Sequence, residues 1–224
     1  LFGDIPFYIN HDSADCWANP EYFKLDEQKQ PTHVSGVPPD LFSKSGQLWG
    51  TPVYDWKELK NHHFDWWITR LRQNLLLFDV VRLDHFRAFS AYWEVPAGEK
   101  TAVHGTWTKT PGNEFFKLLQ KEFPEMPFVA EDLGSLDQPV YDLLEKFSFP
   151  CMKVLQFAFG DNNPENPYLP YNHSRNSVVY TGTHDNDTTL GWYRKISSED
   201  QHWVRTYLQV DGHDICWDLI RVAW

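Results

Sequence analysis

The chain contains the stretch Asp79-Val-Val-Arg-Leu-Asp-His-Phe-Arg87, in which a short apolar run leads directly into charged residues. The run Val80–Leu83 is β-branched and apolar, which predicts a buried strand. Because side chains alternate faces along a strand, Arg82 and Asp84 point the same way, one pleat apart. A guanidinium favours the ionised form of a neighbouring carboxylate, and an ionised, oriented Asp can act as a nucleophile. An isolated pair of this kind also fits a structural ion pair at a strand end.

Similar runs elsewhere in the chain indicate the fold class. Further strands are predicted at Ile5–Ile9, Pro127–Ala130, Val154–Phe159 and Val178–Thr181. Apolar residues at helical spacing predict helices at Trp56–Leu76, Asn113–Phe123, Gln138–Phe147 and Ser198–Leu208, the last capped by Ser197 or Ser198. Apolar strands separated by helices predict an α/β fold with a covered parallel sheet, either a doubly wound sheet or a (β/α)₈ barrel. No Gly-rich phosphate loop follows a strand, which disfavours a nucleotide-binding open sheet.

Charged residues follow three of the predicted strands. Asp84 follows the second strand, Glu131 and Asp132 follow the third, and His184 and Asp185 follow the fifth. Polar residues gathered at the carboxyl ends of successive parallel strands are typical of barrel active sites. Because a complete barrel has eight strands and this chain shows fewer, we predict an incomplete (β/α)₈ TIM barrel.

The adjacent carboxyl groups of Glu131 and Asp132 point in opposite directions, so we expect one of them to face the centre of the sheet. Desolvation or a neighbouring charge raises the pKa of a carboxyl group, which suits a general acid. Asp132 is also compatible with a helix cap. A different segment, Gly36–Pro52, holds Gly and Pro without periodicity, which predicts a long loop that serves as a lid or binding loop.

Composition excludes several classes of partner. The formal net charge is -11, and an acidic surface repels nucleic acid and anionic lipid, so we expect neither as a partner. Aromatic residues make up 17% of the chain, which fits either a large aromatic core or a carbohydrate cleft. The cysteines, Cys16, Cys151 and Cys216, show no disulfide or metal spacing, so we expect reduced thiols, no metal, no cofactor and a cytoplasmic location. The start at Leu1 rather than Met suggests a fragment.

Seven motifs in one order resemble the 4-α-glucanotransferase (amylomaltase) family, relatives of the α-amylases. They are GDIPFYI (3–9), HDSADCWANP (11–20), GVPPDLFSKSGQLWG (36–50), VRLDHFRAF (81–89), VAEDLG (129–134), MKVLQFAF (152–159) and VVYTGTHDNDTTLGWY (178–193). The resemblance implies a retaining double displacement on α-1,4-glucans, in which a covalent aspartyl-glucosyl intermediate forms.

The resemblance also implies roles for individual residues. Asp84 matches the nucleophile, Glu131 the general acid/base, and Asp185 the third carboxylate, which stabilises the transition state. The implied substrate-binding residues are Arg82, His184, Asp40, Trp49, Phe42, Phe157 and Asp161. Leu41 stands where some members carry an aromatic residue, so stacking at the acceptor subsite is not implied here.

The family's fold makes residues 1–224 one partial catalytic domain that holds about strands three to seven of a barrel, with Ile215–Trp224 as the helix before the eighth. The fragment by itself is then expected to be inactive. Its open sheet edges suggest excision from a longer chain or self-association. Two other functions stay open: an α-amylase-type retaining hydrolase, which uses the same carboxylates, and a non-catalytic glucan-binding module.

Overall fold

The computed structural model describes residues 1–40, 43–134 and 136–224. The chain divides into two compact units, Leu1–Phe149 and Pro150–Trp224. Across the described ranges, each helix is too short or too polar to cross a lipid bilayer. The assignment of residues 1–224 to one partial barrel domain stays a prediction, and so does self-association through sheet edges.

The first unit combines seven strands and five helices in its described residues. The strands are β1 (Phe2–Ile5), β2 (His33–Val37), β3 (Gln47–Pro52), β4 (Val80–Leu83), β5 (Ala91–Pro96), β6 (Thr106–Lys109) and β7 (Phe128–Ala130). The helices are α1 (Ala14–Ala18), α2 (Trp56–Asn61), α3 (Asp65–Leu75), α4 (Gly112–Glu122) and α5 (Gln138–Lys146). Short 3₁₀ turns lie at Pro20–Tyr22 and Phe86–Phe89.

A parallel sheet of three strands, in the order β1-β4-β7, positions the charged residues of this unit. Apolar residues of these strands, such as Val81, Leu83 and Ala130, are fully buried. The register pairs Ile5 with Leu83 and Leu83 with Ala130, so the carboxyl ends of all three strands lie at one edge. These strands confirm the α/β class, whereas the incomplete barrel stays a prediction.

A second, antiparallel sheet in the order β3-β2-β5-β6 was not expected. The prediction of a long loop over Gly36–Pro52 is wrong at both ends, because Gly36 and Val37 belong to β2 and Gln47–Pro52 is β3, which pairs with β2. Gly36 pairs with Leu48, and a Cβ on Gly36 would lie 2.5 Å from the Gln47 carbonyl oxygen, so the close pairing requires glycine. Half of the β3 residues are exposed and only Pro52 is buried, so the strand lacks the apolar alternation that identifies a strand in a sequence.

The boundaries of two predicted strands are wrong. Instead of Ile5–Ile9, the strand is β1, and it ends before Pro6, which has no N–H for a sheet ladder. Instead of Val154–Phe159, the strand ends at Val154 and a 3₁₀ turn covers Leu155–Ala158. The predicted strands at Val80–Leu83, Pro127–Ala130 and Val178–Thr181 are confirmed within one residue.

The predicted single helix over Trp56–Leu76 is also wrong, since the structure has two helices there, α2 and α3. His63 and Phe64 lie between them with φ of 53° and 55°. This left-handed backbone ends one helix and re-aims the next. The other predicted helices match α4, α5 and Ser198–Leu208 within one residue at each end.

Most aromatic residues of the first unit form its core, so the large-core interpretation of the composition applies to them. Phe89 stacks on Phe115 with ring centroids 5.3 Å apart, and Phe86 stacks on Phe116 at the same distance. The largest fully buried aromatic side chains are Trp67, Tyr54, Tyr92, Phe7, Phe86, Phe89, Phe115, Phe116 and Phe128. Their burial stabilises this unit chiefly through the hydrophobic effect.

The second unit has its own parallel strand pair and its own core. It contains β8 (Cys151–Val154), β9 (Ser177–Tyr180), α6 (Thr189–Lys195), α7 (Ser198–Leu208) and α8 (Ile215–Ala223). Ser197 caps α7, since its side chain accepts a hydrogen bond from the Asp200 amide. The buried cluster that joins these helices comprises Leu155, Ala158, Phe159, Leu169, Tyr193, Val204, Ile215 and Leu219.

Candidate active site

Arg82 is the centre of a charged cluster at the carboxyl edge of the parallel sheet. Its side chain is nearly buried in β4, with Nη2 2.7 Å from Asp84 Oδ1 and Nη1 2.7 Å from Asp4 Oδ2. Burial alone lowers the pKa of Arg82, but Asp84, Asp4 and Glu131 outweigh it and raise the pKa above its ordinary value. The predicted common direction of Arg82 and Asp84 is therefore confirmed, and the guanidinium fixes the orientation of the Asp84 carboxylate.

Asp4 is a member of this cluster that was missed in the sequence. It lies on β1 directly opposite Arg82 in the parallel register. The prediction began this strand at Ile5, which left Asp4 outside it. Since Asp4 precedes Ile5 and Pro6 in an extended segment, a strand placed three residues earlier would have identified it.

Asp84 and Glu131 follow paired residues of neighbouring strands. The Asp84 amide donates to the Ile5 carbonyl at 3.1 Å, and the Glu131 amide donates to the Leu83 carbonyl at 3.0 Å. The Phe86 amide donates to the Glu131 carbonyl at 3.2 Å. Neighbouring strands lie about 4.8 Å apart. These backbone bonds therefore hold the two carboxyl-bearing residues side by side at one level of the sheet.

The two neighbouring carboxyl groups differ in environment. Burial raises the pKa of Glu131, the Leu133 N–H and Arg82 oppose the increase, the nearby Asp84 and Asp132 add to it, and the resulting pKa is about 7. That N–H donates to Glu131 Oε1 at 2.8 Å, which fixes the side chain. Near neutral pH, Glu131 therefore holds a proton for much of the time, while Asp84 lies against a cation.

Asp132 does not cap the following helix, so that alternative is wrong. Helix α5 begins at Gln138, and Asp137 occupies its N-cap position. Asp137 also pairs with Arg87, whose Nη2 lies 3.1 Å from Asp137 Oδ2.

Aromatic rings surround His85, the residue that follows Asp84. His85 has a left-handed backbone with φ of 47°, and its ring meets that of Trp49 edge-on at 4.9 Å. Burial, followed by the charge of Arg87, lowers the pKa of His85 to about 3, so the imidazole is neutral. The ring of Tyr8 lies 6.0 Å from His85. Trp49 is 41% exposed, so it presents an apolar face that a sugar ring can cover.

Asp40, which the resemblance assigns to the substrate, lies on the segment between β2 and β3. It is exposed, and its Oδ1 accepts a hydrogen bond from the Ser43 amide at 2.7 Å. Phe42, the predicted acceptor-subsite residue, and Leu41 lie outside the described residues.

The second unit carries His184 and Asp185 on one tight turn after β9. Asn186 Oδ1 accepts from the Thr183 amide at 2.8 Å and from its hydroxyl at 2.9 Å. His184 Nε2 lies 3.4 Å from Asp185 Oδ1, and both side chains are about two-thirds exposed. The turn therefore holds a carboxylate and an imidazole together on its exposed side.

Gln156 supports this turn and was also missed in the sequence. Its side chain is nearly buried, and Nε2 donates to the Asp187 carbonyl at 2.9 Å. A Cβ on Gly182 would lie 2.5 Å from Gln156 Nε2, so any side chain at this position would displace the Gln156 amide. A glutamine within an apolar run after a strand was the available signal.

Phe157 and Asp161 lie on the segment that follows β8. Phe157 is 41% exposed, and its ring meets Tyr168 edge-on at 5.4 Å. Asp161 is exposed, and its Oδ1 accepts from the Asn163 amide at 3.1 Å. An exposed aromatic ring and a carboxylate on one short segment match the chemistry of a sugar subsite.

The predicted site residues thus fall into local groups. The first unit brings Arg82, Asp84 and Glu131 together. Trp49 contacts His85, the residue that follows Asp84. No group of three His, Cys, Asp or Glu residues within the described ranges is placed to hold a metal ion. A carboxyl group held by a guanidinium, beside a second carboxyl group whose pKa is raised, fits the pair of carboxyl groups that cleaves glycosidic bonds.

Comparisons with known proteins identify the family that this chain matches. A family described as 4-alpha-glucanotransferase matches residues 1–224. The 4-alpha-glucanotransferase of Synechocystis sp. is 55% identical over 227 residues, which cover 100% of this chain and 45% of that protein. The 4-alpha-glucanotransferase of Thermus thermophilus is 52% identical over 210 residues, 93% of this chain and 42% of that protein.

A solved structure also matches. The amylomaltase from Streptococcus agalactiae in complex with acarbose aligns with a TM-score of 0.93 at 38% identity, over 99% of this chain and 45% of that one. The α/β fold is therefore similar to that of an amylomaltase. The chain spans less than half the length of these relatives.

Proposed function

This chain belongs to the 4-alpha-glucanotransferase family, and from this premise we propose that its protein transfers α-1,4-glucan segments between maltodextrins. The observation that carries the proposal is the pair at the sheet edge. Asp84 is held by Arg82 at 2.7 Å, and the neighbouring Glu131 has its pKa raised to about 7 by burial. A nucleophile and a general acid need these opposite protonation states at one pH.

The proposed first step cleaves the donor. The Glu131 carboxyl group gives its proton to the glycosidic oxygen while an Asp84 oxygen attacks C1. The C1–O bond breaks, the reducing-end segment leaves with a new hydroxyl, and a glucosyl ester forms on Asp84. Retaining enzymes place their two carboxyl groups about 5 Å apart, and adjacent strands, at about 4.8 Å, supply side chains at such a separation.

The proposed second step rebuilds an α-1,4 bond. The 4-hydroxyl of another glucan gives its proton to the Glu131 carboxylate and attacks C1, and the Asp84 oxygen leaves as a carboxylate. Two inversions at C1 retain the configuration. Transfer prevails over hydrolysis only if water is kept from the ester, and the rings of Trp49 and His85 are the apolar surface beside Asp84 that supports this exclusion.

The remaining predicted residues are proposed to bind the glucan. Asp185 accepts hydrogen bonds from sugar hydroxyls that strengthen in the transition state, and His184 donates beside it. Asp40 belongs to a lid-like segment, Phe42 stands at an acceptor subsite, and Phe157 and Asp161 form a subsite on the second unit. A cytoplasmic location also remains part of this proposal.

Asp84→Asn tests the function in the full encoded polypeptide that contains these 224 residues. The change keeps the size of the side chain but removes the nucleophile, so we expect at least about a 10⁴-fold loss of turnover. Chromatography of maltotriose digests measures glucose and longer chains together. Asp142→Asn, on the exposed face of α5, is the matched control and should retain activity.

The products separate this function from its alternatives. Reducing sugars without longer chains would indicate the hydrolase, and binding of maltodextrin without turnover would indicate the glucan-binding module. Full activity of the Asp84→Asn protein would refute the assigned nucleophile.

A further inference from the structure

The second unit contains a buried asparagine, Asn166, that contacts the exposed residues Phe157 and Asp161. Asn166 is 5% exposed, although it lies in the polar segment Asp161–Asn172, which we call the Asn166 loop. Buried polar side chains are retained when their hydrogen bonds are satisfied. The partners of this side chain therefore indicate what it does.

The Asn166 amide bonds to both proposed subsite residues. Nδ2 donates to the Phe157 carbonyl at 2.9 Å and faces both carboxylate oxygens of Asp161 at 3.2 Å. Oδ1 accepts from the Tyr168 amide at 2.8 Å. The planar side-chain amide of Asn166 thus bonds to the Phe157 carbonyl, the Asp161 carboxylate and the Tyr168 backbone amide. The Phe157 ring packs against the ring of Tyr168.

The backbone of Asn166 is fixed as well. The backbone N–H of Asn166 donates to the Asn163 carbonyl at 3.0 Å. The backbone carbonyl of Asn166 accepts from the Leu169 N–H at 3.1 Å and from Asn172 Nδ2 at 2.9 Å. Asn172 Nδ2 also donates to the Pro164 carbonyl at 2.9 Å. The position of the amide is therefore set by the loop on both sides of it.

The geometry selects asparagine for chemical reasons. An aspartate has the same shape but no donor for Phe157 or Asp161, and it would set a second carboxylate against Asp161. On the exposed side, the Asp161 carboxylate keeps acceptor sites for sugar hydroxyls, because the Asn166 and Asn163 donors occupy only part of its capacity. The exposed Phe157 ring beside it offers a face for apolar C–H groups.

We propose that Asn166 is a positioning residue that fixes the relative positions of Phe157 and Asp161, so that they form one glucan subsite. It acts mainly through Asp161. This inference rests on the proposed function, because the ligand of the subsite is the glucan of that reaction. Asn166 lies behind the two residues and has no direct contact with sugar.

Asn166→Asp tests the proposal in the full encoded polypeptide, with maltotriose as the substrate. We expect KM to rise about tenfold while kcat stays within about twofold, since a subsite that binds the glucan equally in the ground state and the transition state contributes uniform binding. Gln209→Glu is the matched control: it adds the same charge to the same unit, on an exposed residue that ends α7 outside the subsite. Its KM should stay within about twofold of the unmutated value.

A double-mutant cycle with Asp161→Ala distinguishes positioning from general stability. In the Asp161→Ala protein, adding Asn166→Asp should change KM by less than about twofold, because the main group that it orients is already absent. If Asn166→Asp fails to fold, as shown by loss of its melting transition, Asn166→Ser replaces it in the cycle.

The outcomes are separable from those of the proposed function. If the unmutated protein shows no transfer, the function fails. If it transfers, the positioning role is wrong when Asn166→Asp has the same KM as its control, or when it lowers kcat and leaves KM unchanged. The role is also wrong if the fold-changes in KM caused by Asn166→Asp and Asp161→Ala multiply in the double variant.

Discussion

Replacing Glu131 with glutamine should stabilise the protein at alkaline pH, although it removes the proposed general acid. Burial raises the pKa of Glu131 from its ordinary 4.5 to about 7. The folded state therefore holds the proton more tightly than the unfolded state does. As pH rises from about 4.5, the unfolded chain loses this proton first, and the free energy of unfolding falls until pH passes about 7. Above that window the loss is constant.

The size of the effect follows from the two pKa values. At 1.36 kcal/mol for each pKa unit, ionising Glu131 costs the folded state at most about 3 kcal/mol at pH 8 and about 1 kcal/mol at pH 5. Glutamine cannot ionise, and its Oε1 can still accept the Leu133 N–H that Glu131 accepts at 2.8 Å. Glu131→Gln should therefore recover about 3 kcal/mol at pH 8 and about 1 kcal/mol at pH 5.

Urea denaturation followed by tryptophan fluorescence at the two pH values measures this difference. Glu125→Gln is the control, because Glu125 is exposed; its effect should be near zero and independent of pH. Equal effects of Glu131→Gln at both pH values, or destabilisation at pH 8, would refute the inference that burial holds this carboxyl group protonated.

Two further predictions concern activity. Since the general acid must carry its proton, kcat/KM for maltotriose should fall about tenfold for each pH unit above about 7; a plateau to pH 9 in a pH–rate profile would contradict the role of Glu131. Gly182→Ala should lower kcat/KM at least about tenfold, because its Cβ would meet Gln156 Nε2 and displace the turn of His184 and Asp185; unchanged kinetics would show that the turn tolerates the shift.

The chemistry of the sheet edge was predictable because it depends on short-range pattern. Val80–Leu83 is apolar, β-branched and followed at once by charge, so both the strand and the common direction of Arg82 and Asp84 could be inferred. Glu131 was found in the same way, after β7. The pKa of Glu131, in contrast, depends on packing around it, and only its direction could be anticipated.

The errors arose where tertiary contacts override local signals. The break at His63 and Phe64 uses left-handed backbone without glycine or asparagine, so nothing in the pattern marks it. Strand β3 is half exposed and carries no apolar alternation, so its pairing with β2 decides its structure. In the sequence, Asn166 is one of many polar residues in its segment. Only the structure shows that it is buried and bonded to Phe157 and Asp161.

Trapping the glycosyl ester tests the central claim most directly. In the Glu131→Gln protein, maltotriosyl fluoride needs little acid assistance to react, but the second step lacks its base, so the ester should accumulate. Peptide mass mapping should then find one added maltotriosyl group on the peptide that contains Asp84, and none after Asp84→Asn is introduced as well. An adduct on another residue, or one that persists without the Asp84 carboxylate, would contradict the account.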